Sequence, residues 1–187
     1  MDLSVRRVRQ AILALLVRLG PTSGLSRLVA LGPAAPEGGS LRQLSTHELG
    51  VLGEELAARY LRGQGFTLIG RNVNAPEAEL DIVAIDGQSL VVVEVKAGWC
   101  PQEPGGPRDG SRWDVHRPGA RITKSGVVRR QRAARRMASG NGLQEARVDA
   151  VEVIAGRTAL ASIVHHRGVL PGVPLGSGQI YGGPPRP

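Results

Sequence analysis

Four charged side chains stand among apolar residues in one short stretch of the chain, AELDIVAIDGQSLVVVEVKAG, residues 78–98. Glu79 and Asp81 lie in its first half, and Glu94 and Lys96 lie in its second half. Burying a charge costs free energy unless the charge is paired or binds a metal ion. Carboxylates that hold a divalent ion, with a lysine to orient or help deprotonate its water, are suited to the hydrolysis of a phosphodiester.

The two halves of this stretch are predicted to form a β-hairpin around residues 86–89, because alternating apolar runs flank an Asp-Gly turn. Side chains alternate between the two faces of a strand, so the acids of each half share one face. A loop at 87–88, or at 86–89, pairs Asp81 with Glu94, whereas a loop at 86–87 pairs Glu79 with Glu94. Directly paired residues have Cα atoms about 4.5–5.5 Å apart.

Two carboxylates at this distance repel each other, and a hard divalent ion relieves the repulsion. We therefore expect Asp81 and Glu94 to bind Mg²⁺ or Mn²⁺, with Lys96 beside the bound water and Glu79 as a possible helper. The alternative is an ordinary cross-strand ion pair between Glu79 and Lys96 on an exposed face. The apolar run LVVV before Glu94 favours a buried central strand instead.

The elements around the hairpin predict an α/β layer structure. A helix begins at the capping box Ser45-x-x-Glu48 and ends near Gly63 and Gly65. The strand FTLIGRNVN follows, then the hairpin, an irregular segment at 97–121, a second helix, and the strands ARVDAVEVIAG and TALASIVHH. The predicted order is αβββαββ. The core stripe of the first helix consists of Leu49, Leu52, Leu56 and Tyr60.

Glu54 and the second helix supply further candidate residues. Glu54 has small neighbours on its helix, which allow its carboxylate to approach the sheet or a substrate; a plain surface glutamate is the alternative. On the second helix, Val127, Ala134 and Ala138 mark the buried face. Gln131 shares that side, either as a polar helper of the site or as a core residue bonded to backbone. The opposite face carries a basic stripe that suits a phosphate backbone or a plain solvated surface: Arg129, Arg132 and Arg136.

Charge and composition limit the partners and the compartment. Residues 46–96 hold four basic and eight acidic residues, and residues 97–147 hold eleven basic and four acidic ones. A strongly basic block favours a nucleic-acid partner, although an Arg-rich solvated surface explains it equally well. One cysteine and no apolar run of membrane-spanning length suggest a cytoplasmic protein. We expect a flexible basic extension at 1–44, one α/β domain at 45–168 and a disordered Gly/Pro-rich tail at 169–187.

The motifs LGVLGEELAARYL, AELDIVAIDGQSLVVVEVK, the basic helix and RVDAVEV occur in this order between residues 48 and 155. Together they resemble the small bacterial YraN-type family, which is similar to PD-(D/E)xK nucleases of the restriction-endonuclease-like fold and to archaeal Holliday-junction resolvases. The resemblance implies a three-layer fold with a central mixed sheet flanked by helices. It implies that Asp81 binds metal, that Glu94 and Lys96 are the (D/E)xK pair, and that Glu54 is the helix glutamate of such nucleases.

We therefore expect a Mg²⁺-dependent endonuclease that acts on DNA rather than RNA, including branched or single-stranded DNA. A homodimer is compatible with this expectation. The alternative is a non-catalytic nucleic-acid-binding module on the same fold. Two features depart from the family pattern: Ala78 precedes Glu79, and Ala97-Gly98 follows Lys96 where the family often has a further cation.

Overall fold

The computed structural model of the protein describes residues 27–30, 44–99, 118–155, 160–173 and 175. Its elements are two long helices, six strands and one 3₁₀ turn. In chain order they are β1 (Arg27–Ala30), α1 (Thr46–Gly63), β2 (Thr67–Asn74), β3 (Glu79–Asp86), β4 (Ser89–Trp99), the 3₁₀ turn (Pro118–Arg121), α2 (Lys124–Gly140), β5 (Glu145–Ala155) and β6 (Leu160–His166).

The strands form one mixed sheet in the order β1-β6-β5-β4-β3-β2. Strands β4 and β5 are parallel, and the other neighbours are antiparallel. Helix α1 packs on one face of the sheet through Leu52, Leu56 and Leu61. Helix α2 packs on the other face through Ala133 and Ala134. The predicted three-layer α/β class, with a central mixed sheet between helices, is therefore confirmed, and the order αβββαββ holds from α1 onward.

Strand β1 was not predicted. Its four residues lie inside the segment 1–44, where we expected a flexible extension, and they pair antiparallel with β6 at the edge of the sheet. The other residues of that segment before residue 44 lie outside the described ranges.

Helix α1 begins and ends where its sequence signals predict. The Ser45 side chain accepts a hydrogen bond from the Glu48 amide at 3.2 Å, and the Glu48 carboxylate accepts one from the Ser45 amide at 2.8 Å. Both bonds of the capping box satisfy amides that a helix N-terminus otherwise leaves unpaired. Three of the four predicted core positions are buried, and Tyr60 packs against the same core while partly exposed.

The β3–β4 hairpin selects one of the two predicted registers. Ile82 pairs with Val93, and Asp86 pairs with Ser89, so the loop is Gly87-Gln88. Gly87 has a φ of 61°, which suits the first loop position of a tight hairpin turn and strains other residues. The register that would pair Glu79 with Glu94 does not form.

The segment at 97–121 is only partly irregular. Strand β4 continues through Trp99, beside Ala155 of β5, and residues 118–121 form the 3₁₀ turn. Residues 100–117 lie outside the described ranges.

At the other end of the domain, Val169 is buried and packs with Val127 and Ala150, and Leu175 packs against this cluster. Both residues belong to the segment 169–187 that we expected to be disordered, of which residues 174 and 176–187 are outside the described part of the chain. No helix among the described residues has the length and hydrophobicity needed to cross a membrane.

Candidate active site

Strands β3 and β4 separate at one end of their hairpin. Their last pair is Ile82 with Val93. Beyond it, β3 stays with β2 as far as Glu79, while β4 stays with β5 as far as Trp99. The two strands therefore open into a fork, which we define by residues 81–82 of β3 and 93–96 of β4. A fork of this kind exposes backbone groups and side chains that a continuous ladder would cover.

Asp81 bridges the fork. Its Oδ2 accepts a hydrogen bond from the Val95 amide of β4 at 2.7 Å, so a side chain replaces the missing ladder bond. Leu80 and Val83 pack in the cluster with α2, whereas Ile82 packs in the cluster with α1. Strict alternation would put Leu80 with Ile82. The alternation therefore breaks at Asp81, which lies between the two layers.

Glu94 is the most buried acid of the fork, with a side chain only 5% exposed. Lys96 Nζ contacts its Oε1, and Arg130 Nη2 of α2 contacts its Oε2. Burial raises the pKa of Glu94, the Asp81 charge raises it further, and the Lys96 and Arg130 cations oppose both effects. Asp81 is therefore a like charge close to Glu94. The predicted direct pairing of Asp81 with Glu94 is not formed, because the β3–β4 ladder ends at Ile82 and Val93.

Glu54 reaches the fork from α1. A Cβ at the preceding residue, Gly53, would lie 2.5 Å from the Ala97 Cβ, so only glycine lets α1 approach β4 this closely. The Glu54 carboxylate is half-buried. Burial raises its pKa, a hydrogen bond with Asn72 lowers it, and the nearby Asp81 charge raises it again. Asp81 is thus electrostatically coupled to acids on both layers.

The four predicted catalytic residues, Glu54, Asp81, Glu94 and Lys96, therefore lie around one fork. The predicted helpers are less directly involved. Glu79 is exposed and pairs with Asn74 of β2 rather than lying opposite Lys96, because the β3–β4 ladder has already ended.

Gln131 is half-buried within α2, and its side chain makes no hydrogen bond to any described residue. Two roles were predicted for Gln131, a polar contact with the site and a hydrogen bond to backbone. Its side chain makes neither contact with the described residues.

Two residues at the site were missed by sequence reasoning. Arg130 lies on the inner side of α2, where it contacts Glu94. Its spacing of three residues from Val127 and four from Ala134 was a usable signal for that side. Asn72 has a φ of 48°, which asparagine tolerates better than most residues, and its side chain reaches Glu54. No local sequence pattern distinguishes this asparagine from one in a loop.

The predicted basic stripe of α2 is exposed, but its three arginines are not equivalent. Arg136 donates to both carboxylate oxygens of Glu77, at 2.9 and 3.1 Å, which neutralises much of its charge. Arg129 and Arg132 have no ion-pair partner among the residues that the structure describes. The stripe therefore presents these two arginines as available cations.

The side chains at the fork have the donor chemistry that Mg²⁺ or Mn²⁺ requires. Glu94 Oε2 is buried and lacks a hydrogen bond of good geometry, although Arg130 lies beside it. Asp81 uses one oxygen for the Val95 amide. Mg²⁺ is usually held by one or two carboxylates and keeps several waters, so two carboxylates suffice. In the described residues no group of three or more His, Cys, Asp or Glu side chains is arranged around one point, which excludes a closed all-protein site there.

A second polar cluster lies around Asp149 of β5. This fully buried carboxylate accepts bonds from Arg147 Nε at 3.0 Å and the Gly168 amide at 2.9 Å, and it lies 3.1 Å from His165 Nε2. Burial raises the pKa of Asp149, but the His165 bond and the Arg147 charge outweigh burial and leave the pKa below its ordinary value. These bonds link β5 to His165 of β6 and to the backbone after it, so the cluster stabilises the fold.

Glu152 forms a third buried contact. Its Oε2 accepts a bond from the Gly119 amide at 2.9 Å, and its Oε1 lies 2.6 Å from His166 Nε2. A Cβ at Gly119 would lie 2.8 Å from that Oε2. Glu152 is the register neighbour of Lys96 in the parallel pair of β4 and β5. It therefore anchors the 3₁₀ turn next to the fork.

Comparison with known proteins places this arrangement in a family. The model of the uncharacterised protein family UPF0102 matches residues 53–153, which include α1 from Gly53, the fork and most of β5. A UPF0102 protein of Beutenbergia cavernae is 34% identical over 123 residues, which cover 65% of this chain and 94% of the relative. UPF0102 proteins of Nocardioides sp. and Mycolicibacterium vanbaalenii are 35% and 31% identical, over 65% and 67% of this chain and 90% and 95% of the relatives. The YraN-type resemblance is therefore confirmed, and the chain belongs to the UPF0102 family.

Proposed function

We propose that this protein binds nucleic acid and is a Mg²⁺-dependent endonuclease that hydrolyses DNA phosphodiesters, including those of branched or single-stranded DNA. The observation that supports the proposal is the meeting of Asp81, Glu94 and Lys96 at the β3–β4 fork, with Glu54 on the facing helix. Burial and the Asp81 charge raise the pKa values of Glu54 and Glu94, and buried acids of this kind beside a lysine are typical of catalytic sites.

In this proposal Asp81 and Glu94 hold Mg²⁺ or Mn²⁺, which when bound polarises the phosphate and makes its water a better nucleophile. The Lys96 ammonium is one-quarter exposed, so it can orient a water at the mouth of the fork while its contact with Glu94 positions it. Glu54, whose pKa is raised, accepts a proton more readily than an ordinary glutamate does.

The exposed face of α2 supplies the contact with the substrate backbone. Arg129 and Arg132 form no ion pair with described residues and are exposed, so they can contact phosphates directly, whereas Arg136 must first leave Glu77. Each phosphate contact adds about 0.9 to the slope of log affinity against log salt for duplex DNA. Replacement of both Arg129 and Arg132 by alanine should therefore lower that slope by nearly 2.

The second candidate is a nucleic-acid-binding module without catalysis. It is favoured by one observation: both oxygens of Glu94 are already contacted by cations, Lys96 and Arg130. Their charges reduce the electrostatic need for a metal ion at Glu94. In this candidate the basic face of α2 keeps its role and the fork is a structural ion-pair cluster.

Cleavage assays with matched variants separate the two candidates. Purified protein with Mg²⁺ or Mn²⁺ is tested on branched, single-stranded and duplex DNA and on RNA. The endonuclease proposal expects Lys96→Ala to lose cleavage and keep binding, and it expects the control Arg62→Ala, an exposed cation at the end of α1, to keep both. Salt-dependent binding without cleavage of any substrate supports the binding module. Absence of salt-dependent binding contradicts both candidates.

We also propose a cytoplasmic location, supported by the single cysteine of the chain. A homodimer stays a prediction, which light scattering of the purified protein tests directly.

A further inference from the structure

Arg130 is the one described cation of α2 that contacts Glu94. We propose that, without a divalent ion, Arg130 occupies Oε2 of Glu94, the oxygen that would bind the ion. Once the ion has displaced it, Arg130 contacts a substrate phosphate. This inference rests on the proposed function, because it assigns Arg130 a role at the same fork.

The Arg130 guanidinium lies beside a glycine of helix α2, Gly126. A Cβ at Gly126, one turn before it, would lie 3.0 Å from Arg130 Nη1, tighter than most real contacts. Gly126 is buried in the first turn of α2, and its amide donates to the side chain of the N-cap residue Thr123 at 3.1 Å. Glycine inside a helix costs about 0.5–1 kcal/mol relative to alanine. The space that Gly126 leaves is the space that the Arg130 guanidinium uses.

The pair of Arg130 and Glu94 is incompletely satisfied. Glu94 Oε2 has no hydrogen bond of good geometry, and Arg130 Nε is a buried donor with no hydrogen-bond acceptor in the described part of the chain. A buried donor or acceptor without a partner is costly. Both atoms would be satisfied if a divalent ion bound Oε2 and a phosphate oxygen accepted from the guanidinium.

The two cations on Glu94 are therefore expected to behave differently. Lys96 is on the same strand as Glu94 and contacts Oε1. Arg130 comes from α2, next to the exposed Arg129, and its side chain is 16% exposed. A guanidinium released from Glu94 would thus lie between the fork and the free cations of α2, where a phosphate of the scissile strand must pass. The planar set of N–H donors on a guanidinium also matches the geometry of a phosphate.

Removal of Arg130 should have opposite effects on the two ligands. Without the competing cation, Mn²⁺ should bind about tenfold more tightly, since the ion pair between Arg130 and Glu94 no longer has to be broken. Duplex DNA should bind several-fold more weakly in the presence of Ca²⁺, which supports binding without cleavage. A merely structural role would not produce changes of opposite sign.

The experiment compares wild-type protein with Arg130→Gln, and with Arg129→Gln as a matched control on the exposed face. Mn²⁺ affinity is measured by isothermal titration calorimetry, and DNA affinity by fluorescence anisotropy with Ca²⁺ and with EDTA. Arg129→Gln should weaken DNA binding in both conditions and leave Mn²⁺ affinity unchanged. Arg130→Gln should weaken DNA binding mainly with Ca²⁺, because Glu94 engages Arg130 in EDTA.

Gly126→Ala provides a second variant if Arg130→Gln does not fold, as judged by circular dichroism. Its added Cβ would lie 3.0 Å from Arg130 Nη1 and 3.0 Å from Thr123 Oγ1. It crowds the guanidinium without removing the charge, so it should tighten Mn²⁺ binding by less than Arg130→Gln does. Unchanged or weaker Mn²⁺ binding in a folded Arg130→Gln protein overturns the inference, and so does a failure of every chain to bind Mn²⁺. If the affinities change as expected and no substrate is cleaved, the endonuclease proposal fails while the inference stands.

Discussion

Helix α1 contains two glycines that should respond in opposite ways to the same substitution. Gly53 packs against β4, where an added Cβ would lie 2.5 Å from the Ala97 Cβ. At Gly50, one turn earlier, an added Cβ would meet nothing within 4 Å. We expect Gly50→Ala to stabilise the protein and Gly53→Ala to destabilise it and to displace Glu54.

The size of the effect follows from the contact distance. Two carbon atoms pack best at about 3.5–4.0 Å, so Gly53→Ala forces α1 away from β4 by roughly 1 Å. Overpacking of this kind costs about 1–3 kcal/mol. The helix propensity of alanine returns about 0.8–1.0 kcal/mol at either position. Gly53→Ala should therefore be about 1–3 kcal/mol less stable than Gly50→Ala.

Urea denaturation measures this difference directly. With a slope of about 2 kcal/mol/M, a difference of 2 kcal/mol separates the two unfolding midpoints by about 1 M. The double variant Gly53→Ala with Ala97→Gly removes the clashing methyl group and should recover most of the loss. On the proposed function, Gly53→Ala should also lower cleavage about 100-fold, because a shift of 1 Å misplaces a catalytic group, whereas Gly50→Ala should not.

The reasoning is refuted if Gly53→Ala is as stable as Gly50→Ala and the two have equal slopes. That result would mean that α1 does not contact β4 at this position. Failure of Ala97→Gly to rescue Gly53→Ala would place the clash elsewhere.

Three further variants test the other polar groups. Asp149→Asn should lower the free energy of unfolding by about 3 kcal/mol at pH 7, because it leaves Arg147 without its buried partner. The advantage of the wild-type protein should disappear as the pH falls below 3.8 and through the lowered pKa of Asp149. Glu54→Gln should gain stability relative to wild type as the pH rises above 4.5, because the folded protein holds the Glu54 proton more tightly than the unfolded chain does; denaturation at pH 4 and pH 7 measures this change. Gly119→Ala should lower the melting temperature, because its Cβ would lie 2.7 Å from Glu152 Cδ, and unchanged melting would contradict the anchoring of the 3₁₀ turn.

Much of the fold was predictable because its signals are local. The stripe of leucines and the capping box define α1 within one stretch of chain. The alternation around Asp86-Gly87 defines the hairpin, although two registers fitted it equally well until the structure showed Ile82 opposite Val93. A shift of register changes no residue type, so local pattern alone could not choose between them.

The candidate site was predictable to the extent that it lies on one hairpin. Asp81, Glu94 and Lys96 are close in sequence, and the hairpin register brings them to the same end of the two strands. Parity places Glu94 and Lys96 on one face, whereas the break of alternation at Asp81 was not predictable. The pairing of Arg136 with Glu77 was not predictable, since 59 residues separate them and neither lies in a distinctive pattern. The same holds for the strand β1, whose partner β6 lies at least 130 residues later in the chain.

The sequence by itself determined the two helices, five of the six strands and the common face of Glu94 and Lys96, because backbone periodicity and turn chemistry act over a few residues. Only the tertiary structure decided that β3 and β4 separate at Asp81, that Gly53 brings Glu54 to this opening, and that Arg130 rather than Arg129 contacts Glu94. These features depend on how two helices pack against opposite faces of one sheet. Packing of that kind is set by the fit of many distant side chains at once, which no short stretch of sequence contains.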